Sequence, residues 1–214
     1  MRQRLLVASH NLRKLEELRR LCAELPLEVL GPESLPEGLP EVEETGVNFL
    51  QNAGLKAFSA AAAAASQLGP DAWALADDSG LEVDALDGEP GVRSARYAGA
   101  DGSREQRDAA NIARLLARLR DVPPEARTAR FICVIAVARR DEILFAVEGR
   151  VEGRILPEPE GSGGFGYDPV FYHEASGRSF ASLSAQEKAA VSHRGLAVAR
   201  LRRVLESVLP AGTH

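Results

Sequence analysis

The chain has 214 residues, of which 45% are hydrophobic and 27% are charged, a composition typical of a folded globular protein with one substantial core, or one core with an added lobe. Its net charge of −5 argues against a nucleic-acid partner, because nucleic-acid-binding surfaces are usually basic overall. No apolar run has the length of a membrane span, and the first run, residues 5–8, is too short for a signal peptide, so we expect a cytoplasmic protein.

The first half of the chain is predicted to open with a buried strand and to contain two helices. Residues 4–9 (RLLVAS) form the strand, and the leucines that follow recur at the spacing of one helix face. After a loop with a short strand at residues 28–30, a long helix is predicted over residues 47–68, with Thr45 as its cap. Six consecutive alanines belong to that helix, since alanine has the highest helix propensity.

The second half alternates strands and helices without a strict β-α-β repeat. Its predicted elements are strands at residues 73–76 and 81–86 separated by a polar turn, a helix at 103–120, a hairpin of strands at 129–138 and 142–151, and a helix at 185–209. This pattern predicts an α/β fold in which a mixed β-sheet is flanked by helices. No clear linker divides the chain, so we expect a single domain over residues 1–214.

Lysine and cysteine are both rare in this chain. Only three of the 26 basic residues are lysines, namely Lys14, Lys56 and Lys188, and each lies in a polar cluster. A lysine that is kept in an arginine-rich sequence supplies a compact, flexible charge suited to a phosphate oxygen. Alternatively, any single one of these lysines is present by chance. Cys22 and Cys133 have neither metal-ligand nor redox spacing, so we expect buried free thiols.

The first polar cluster is predicted where a strand ends and a helix begins. Residues 9–14 (SHNLRK) stand there, and the free backbone N–H groups of a helix start favour an anion. Ser9, Asn11 and Lys14 would then complete a phosphate cradle. Alternatively, Asn11 only caps the helix and Lys14 is solvated. The GxxxxGK[ST] motif is absent, which argues against a P-loop kinase or ATPase.

Acidic residues dominate two further clusters. Glu44 and its acidic neighbours precede the long helix. Asn48, Asn52 and Lys56 follow at four-residue steps on one face of that helix. Together these groups either hold a hydrated cation and its phosphate, or the acids only complement the helix dipole. Residues 77–80 (DDSG) end a buried strand and form either a plain turn or a site where carboxylates serve Mg²⁺ and an attacking water.

The last two clusters combine hydrogen-bond donors with an aromatic ring. Residues 163–169 (GGFGYDP) contain Phe165 among glycines that permit close backbone approach, so the segment either binds a flat ring or is a mobile hairpin tip. Lys188 and Ser192 lie one turn apart on the last predicted helix, next to His193 and Arg194. These donors either recognise a ring carbonyl or form an ordinary solvated helix face.

All five clusters occur in the order found in the inosine triphosphate pyrophosphatase family, which the chain closely resembles. The matching segments are SHNLRK, EETGVNFLQNAGLKA, ADDSGLEVDALDGEPGVRSARYAG, GGFGYDPVF and SAQEKAAVSHRG, and they extend from Ser9 to Gly195. Five unrelated motifs in one order are hard to produce by chance. The resemblance implies hydrolysis of ITP, dITP and XTP to the monophosphate and pyrophosphate, an elongated two-lobed fold with a central cleft, and a homodimer.

The same resemblance implies the residues of the site. Asp78 is implied to be the general base and, together with Glu44, a ligand of Mg²⁺. The implied substrate-binding residues are Ser9, His10, Asn11, Leu12, Arg13, Lys14, Lys56, Ser79, Phe165, Gly166, Tyr167, Asp168, Lys188, His193 and Arg194. Residues 9–14 and Lys56 would hold the triphosphate, whereas the residues from Phe165 onward would shape the base pocket.

One position departs from the family pattern. The chain has Gln51 where the family commonly has glutamate, which makes Gln51 doubtful as a metal contact and leaves Glu44 and Asp78 as the better ligands.

Two other functions remain open. A Maf-like pyrophosphatase acting on other modified nucleotides is one alternative. The other is a nucleotide sensor without catalysis, although intact carboxylates argue against it. Neither nucleic acid nor a membrane is an expected partner.

Overall fold

The computed structural model describes residues 2–209, except for the side chain of Arg13. Its seven strands are β1 (Gln3–Val7), β2 (Leu27–Leu30), β3 (Trp73–Val83), β4 (Thr128–Arg139), β5 (Glu142–Ile155), β6 (Phe171–His173) and β7 (Arg178–Ser179). They form one sheet in the order β2-β1-β3-β4-β5-β6-β7. The β1 strand is parallel to β2 and β3, whereas β6 is antiparallel to β5 and β7. This arrangement confirms the predicted mixed sheet.

Five α-helices accompany the sheet in the described part of the chain. They are α1 (Leu12–Leu21), α2 (Phe49–Gln67), α3 (Arg104–Arg118), α4 (Ala185–Val191) and α5 (His193–Val208). The alanine-rich segment lies within α2 as predicted, and Ala53, Ala57 and Ala64 are fully buried there. None of these helices combines the length and the apolarity that crossing a membrane requires.

The described chain forms two compact units. The first comprises the described residues of Met1–Asp78, Val134–Glu148 and Ala197–His214, and the second comprises Ser79–Cys133 and Gly149–Leu196. Strands β3, β4 and β5 each contribute residues to both units. The aromatic core of the second unit contains Phe131, Phe171 and Phe180, with ring centres of Phe131 and Phe171 4.6 Å apart. The single domain over residues 1–214 stays a prediction.

Three local predictions were wrong. The DDSG segment is not a turn, because β3 runs without interruption from Trp73 to Val83. Thr45 does not cap α2: Asn48 does, accepting the Gln51 backbone N–H through its side chain. The last helix is two helices, because Ser192 has an extended backbone and its hydroxyl accepts the Gly195 N–H, which starts a new helix.

Candidate active site

Strand β3 carries both predicted aspartates, and each of them accepts a hydrogen bond from a different lysine. Asp77 and Asp78 are consecutive strand residues, so their side chains point to opposite faces of the sheet. On one face the Lys14 ammonium donates to Asp77 Oδ2 at 2.6 Å. On the other, the Lys56 ammonium donates to Asp78 Oδ1 at 2.9 Å. The structure therefore brings two of the three lysines to the DDSG segment.

The Lys56 ammonium also joins Asp78 to the second predicted metal ligand. It donates to Glu44 Oε1 at 3.0 Å, so both carboxylates converge on one positive charge. Only 12% of the Asp78 side chain is exposed. Burial raises the pKa of Asp78 above its ordinary value, the charge of Lys56 opposes this change, and the charge of Glu44 adds to it. Asp78 is therefore a stronger proton acceptor than a solvated aspartate.

Asn52 connects Asp78 to the loop that carries Glu44. Its side chain is fully buried, with Nδ2 donating to Asp78 Oδ2 at 3.3 Å and Oδ1 accepting the Gly46 N–H at 2.8 Å. Gln51 supports the same loop, since its Oε1 accepts the Val47 N–H at 2.9 Å. Sequence reasoning placed Asn52 on the Lys56 face of the helix but omitted it from the site. Its spacing of four residues before Lys56 was the available signal.

The donor set around Lys56 fits Mg²⁺. Among the described residues, no cluster of three or more His, Cys, Asp or Glu side chains is arranged to hold a metal ion. Mg²⁺ does not need such a cluster, because it commonly uses one or two carboxylates together with substrate phosphates and retained waters. Glu44 and Asp78 are two hard-oxygen donors that both contact the Lys56 ammonium and therefore lie close together, which matches that requirement.

The predicted phosphate segment lies at the start of α1. Asn11 Oδ1 accepts the Lys14 N–H at 3.4 Å, which is the contact of a helix cap. Ser9, His10 and Leu12 border an open pocket of about 390 Å³, and the side chain of Leu12 is 71% exposed. The cap is therefore present, and phosphate binding by this segment stays a prediction. The side chain of Arg13 lies outside the described residues.

In the second unit, hydrogen bonds to the buried carboxylate of Asp168 stabilise the GGFGYDP segment. Asp168 is 1% exposed, and its Oδ2 accepts the Phe165 N–H at 2.7 Å and a hydrogen bond from the Lys188 ammonium. Burial raises the pKa of Asp168, and the charge of Lys188 opposes this change. Gly164 has a φ of +74°, and a Cβ there would overlap the Asp168 carboxylate. The third lysine thus also has an aspartate partner.

Within this loop, one ring is exposed and the other is an anchor. Phe165 is 56% exposed, with the Lys188 ammonium 4.3 Å from its ring centre. Tyr167 is buried, and its hydroxyl donates to the backbone carbonyl of Ser94 at 2.9 Å. Gly166 connects them with a φ of +60°. The geometry offers Phe165 as the ring on which a base could stack, whereas Tyr167 holds the loop in place.

The remaining predicted residues lie at different depths. His193 is the first residue of α5, is buried, and stacks on Phe131 with ring centres 4.7 Å apart. Arg194 is half-buried and Ser79 is exposed on β3. The helix break at Ser192 places Lys188 on α4 and His193 on α5, so these donors do not lie on one continuous helix as predicted. Their contacts with substrate stay predictions.

Ser94 and Asn111 were missed by sequence reasoning. Ser94 is buried, and its hydroxyl accepts the Leu81 N–H at 2.9 Å, directly after the DDSG segment on β3. Buried Asn111 donates to the Ser94 carbonyl at 3.3 Å, the same carbonyl that holds Tyr167. For Ser94 the available signal was the matching motif that contains SAR, to which no role was given, whereas Asn111 lies outside the matching motifs.

Comparison with known proteins identifies the family of this chain. The model of the Ham1 family matches residues 5–204. A dITP/XTP pyrophosphatase of Frankia alni is 49% identical over 96% of this chain and 98% of its own, and one of Geobacter sulfurreducens is 47% identical over 93% and 94%. The solved structure of a HAM1 protein from Coxiella burnetii superposes with a TM-score of 0.86 at 38% identity, covering 96% of this chain and all of the other. The chain belongs to the Ham1 family.

Proposed function

We propose that this protein hydrolyses non-standard purine nucleoside triphosphates, namely ITP, dITP and XTP, to the nucleoside monophosphate and pyrophosphate with Mg²⁺ as cofactor. The observation that carries the proposal is the Asp78 carboxylate, which is nearly buried, has a raised pKa and is held by Lys56 and Asn52 beside Glu44. Relatives named dITP/XTP pyrophosphatase at 43–49% identity support it.

Asp78 is the proton acceptor in this proposal. Its carboxylate takes the proton from the water that attacks the α-phosphorus, and its raised pKa strengthens it for that step. Lys56 and Asn52 fix both of its oxygens, so the carboxylate needs no reorientation when the water attacks. When bound, Mg²⁺ would be held by Glu44 and Asp78 and would neutralise charge on the phosphates.

The lysines bind the phosphates in the same proposal. Lys14 is held at the start of α1 through Asp77 and Lys56 through Asp78, so each ammonium is already placed on a rigid element. Such preorganised donors stabilise charge that develops on the phosphates in the transition state, and losing one typically costs about 3–4 kcal/mol of activation free energy. The residues near Ser9 add backbone N–H groups at the helix start.

Base discrimination is assigned to Phe165, Lys188 and the residues after the helix break. Phe165 offers a flat surface, and Lys188 can donate but never accept a hydrogen bond. Hypoxanthine and xanthine present a carbonyl at C6, whereas adenine presents an amino donor that would face this donor. Guanine shares the carbonyl at C6, so this contact does not distinguish it.

We also propose that the enzyme is cytoplasmic and, as the family resemblance implies, a homodimer. Apolar side chains left exposed on and just before α2 support a second copy: Val47 is 81% exposed and Leu50 is 52% exposed. Exposed apolar groups in one region are typical of a protein interface. Light scattering should give a molar mass twice the 22.9 kDa of one chain, and a mass of one chain would contradict the dimer.

The experiment that tests the main proposal is pyrophosphate release from ITP, dITP, XTP, GTP, ATP and UTP at equal concentration, with Mg²⁺ and with chelator. We expect metal-dependent turnover of the first three. Equal turnover of all six would contradict the base pocket and favour a pyrophosphatase of broader range. Binding of nucleotide without any pyrophosphate release would contradict the enzyme and favour a sensor.

A further inference from the structure

One face of helix α3 contacts the GGFGYDP segment directly at Phe165 and Gly166 and supports Tyr167 indirectly through Ser94. Arg104, Asp108 and Asn111 are spaced by four and then three positions, so their side chains lie on the same side of the helix. None of the three was predicted to belong to the site. The helix begins with a capping box in which Ser103 and Gln106 bond to each other's backbone, which fixes its first turn.

The first two of these side chains reach Phe165 and Gly166. The Arg104 guanidinium carbon lies 4.6 Å from the centre of the Phe165 ring. Asp108 Oδ2 accepts the Gly166 N–H at 2.8 Å. The third side chain, Asn111, acts indirectly, because it donates to the Ser94 carbonyl that accepts the Tyr167 hydroxyl.

We propose that α3 positions the base-binding loop through Asp108, and that the guanidinium of Arg104 contacts the purine base stacked on Phe165. This inference rests on the proposed function, because it requires that a purine binds at Phe165. It adds Arg104 to the residues that determine specificity and makes Asp108 a positioning residue.

The position of Arg104 follows from the size of a stacked base. Stacked rings lie with their centres about 4.5–7 Å apart, so a guanidinium 4.6 Å from the Phe165 centre occupies the space at or beside a stacked purine. Phe165 is 56% exposed, which leaves room for that purine. A base that stacks on the face covered by Arg104 must touch the guanidinium or displace it. Because arginine only donates hydrogen bonds, the contact favours bases with carbonyl edges.

Asp108 acts on the loop and on Arg104. Its hydrogen bond to Gly166 holds the residue that follows the exposed ring, and the positive φ of Gly166 gives the chain a turn at that point. Its Oδ2 also lies 3.9 Å from Arg104 Nε, which is an electrostatic contact longer than a hydrogen bond. Losing Asp108 should therefore disturb Phe165 and Arg104 together, while Lys14 and Lys56 keep their own aspartates.

The test compares Arg104→Ala, Asp108→Ala and Asp108→Asn with the control Arg107→Ala. Arg107 is exposed on the same turn of α3, and its guanidinium donates to the backbone carbonyl of Gly102 at 2.8 Å. For each variant, kcat and KM are measured with ITP and XTP. Binding of IMP and of inorganic tripolyphosphate is measured by calorimetry, because these ligands contain the base and the phosphates separately.

We expect Arg104→Ala to raise KM for ITP and to weaken IMP about tenfold, the effect of one lost hydrogen bond or stacking contact. Tripolyphosphate affinity and kcat should stay within about twofold of wild type. Asp108→Ala should behave likewise, and Asp108→Asn should restore most of the affinity because it keeps an acceptor oxygen. Arg107→Ala should match wild type.

Three results would overturn the inference. If wild type hydrolyses ITP and Arg104→Ala keeps the same KM and IMP affinity, Arg104 does not contact the base. If Asp108→Asn loses as much affinity as Asp108→Ala while both keep the wild-type melting temperature, the acceptor at Asp108 does not position the loop. A wild-type protein that does not hydrolyse ITP at all would overturn the proposed function itself, and this inference with it.

Discussion

At the scale of single residues, Asp78 and Asp77 form a matched pair. Both are strand carboxylates bonded to a lysine, yet only Asp78 is joined to Glu44 through that lysine. Asp78→Asn removes the proton acceptor while keeping the shape, so we expect kcat to fall about 10²- to 10⁴-fold with an unchanged melting temperature. Asp77→Asn, measured in parallel, should affect mainly KM. A rate near wild type for Asp78→Asn would show that Asp78 is not the base.

Lys188 is expected to affect both stability and selectivity. Lys188→Ala leaves the Asp168 carboxylate buried without its cation, and breaking such a pair typically costs about 3–5 kcal/mol of unfolding free energy. The double variant Lys188→Ala with Asp168→Asn should recover part of this loss, as measured by urea unfolding. The same Lys188→Ala protein should lose preference for ITP over ATP in kcat/KM. An unchanged ratio would contradict the assignment of Lys188 to the base pocket.

At the scale of elements, the GGFGYDP segment is sensitive to a single added methyl group. Gly164→Ala introduces a Cβ that overlaps the Asp168 carboxylate and places alanine at a φ of +74°. We expect the variant to fold with a stability loss of about 1–3 kcal/mol and to raise KM for ITP, measured by denaturant unfolding and steady-state kinetics. Gly177→Ala, at a φ of +64° with space around it, is the matched control.

The order of elements could be predicted from periodicity, but two boundaries could not. Asp, Ser and Gly in succession are typical of a turn, and the DDSG segment was therefore interpreted as one. Its strand conformation depends on neighbouring strands and on Lys14 and Lys56, which are distant in sequence. Propensity does not contain such contacts. The break at Ser192 did have a local signal, since serine often caps a helix, but the apolar pattern continues across it.

The candidate site could be predicted only in part, because local sequence signals do not contain contacts between residues that are distant in sequence. Glu44, Lys56 and Asp78 come together as expected, because Glu44 and Lys56 lie in one recognisable motif and Asp78 lies in the next. Asp108 and Asn111 have no such local signal, since they act through contacts with residues that follow them by more than fifty positions or precede them by seventeen.

At the scale of the whole molecule, stability should fall under alkaline conditions because of Cys22. The thiol is 2% exposed, and burial raises its pKa from 9.0 to about 11, with Arg202 opposing the change. Between pH 9 and pH 11 the unfolded chain loses a proton that the folded chain keeps, so the free energy of unfolding decreases as pH rises. We expect a loss of about 2–3 kcal/mol from this thiol.

The measurement is urea unfolding of wild type and Cys22→Ala at several pH values from 8 to 11. Below pH 9 wild type should be the more stable protein, because alanine leaves space in the core. The difference between the two should shrink as pH rises. A constant difference over this range would show that Cys22 has the same pKa in both states.

The alternation along β3 makes the length of this strand more important than the chemistry of most of its residues. Because Asp77 and Asp78 face opposite sides, inserting or deleting one residue between Trp73 and Asp77 would exchange their lysine partners and turn the base away from Glu44. Many single substitutions in the same stretch would leave that arrangement intact. Over evolutionary time, β3 should therefore accept changes of residue but not changes of length.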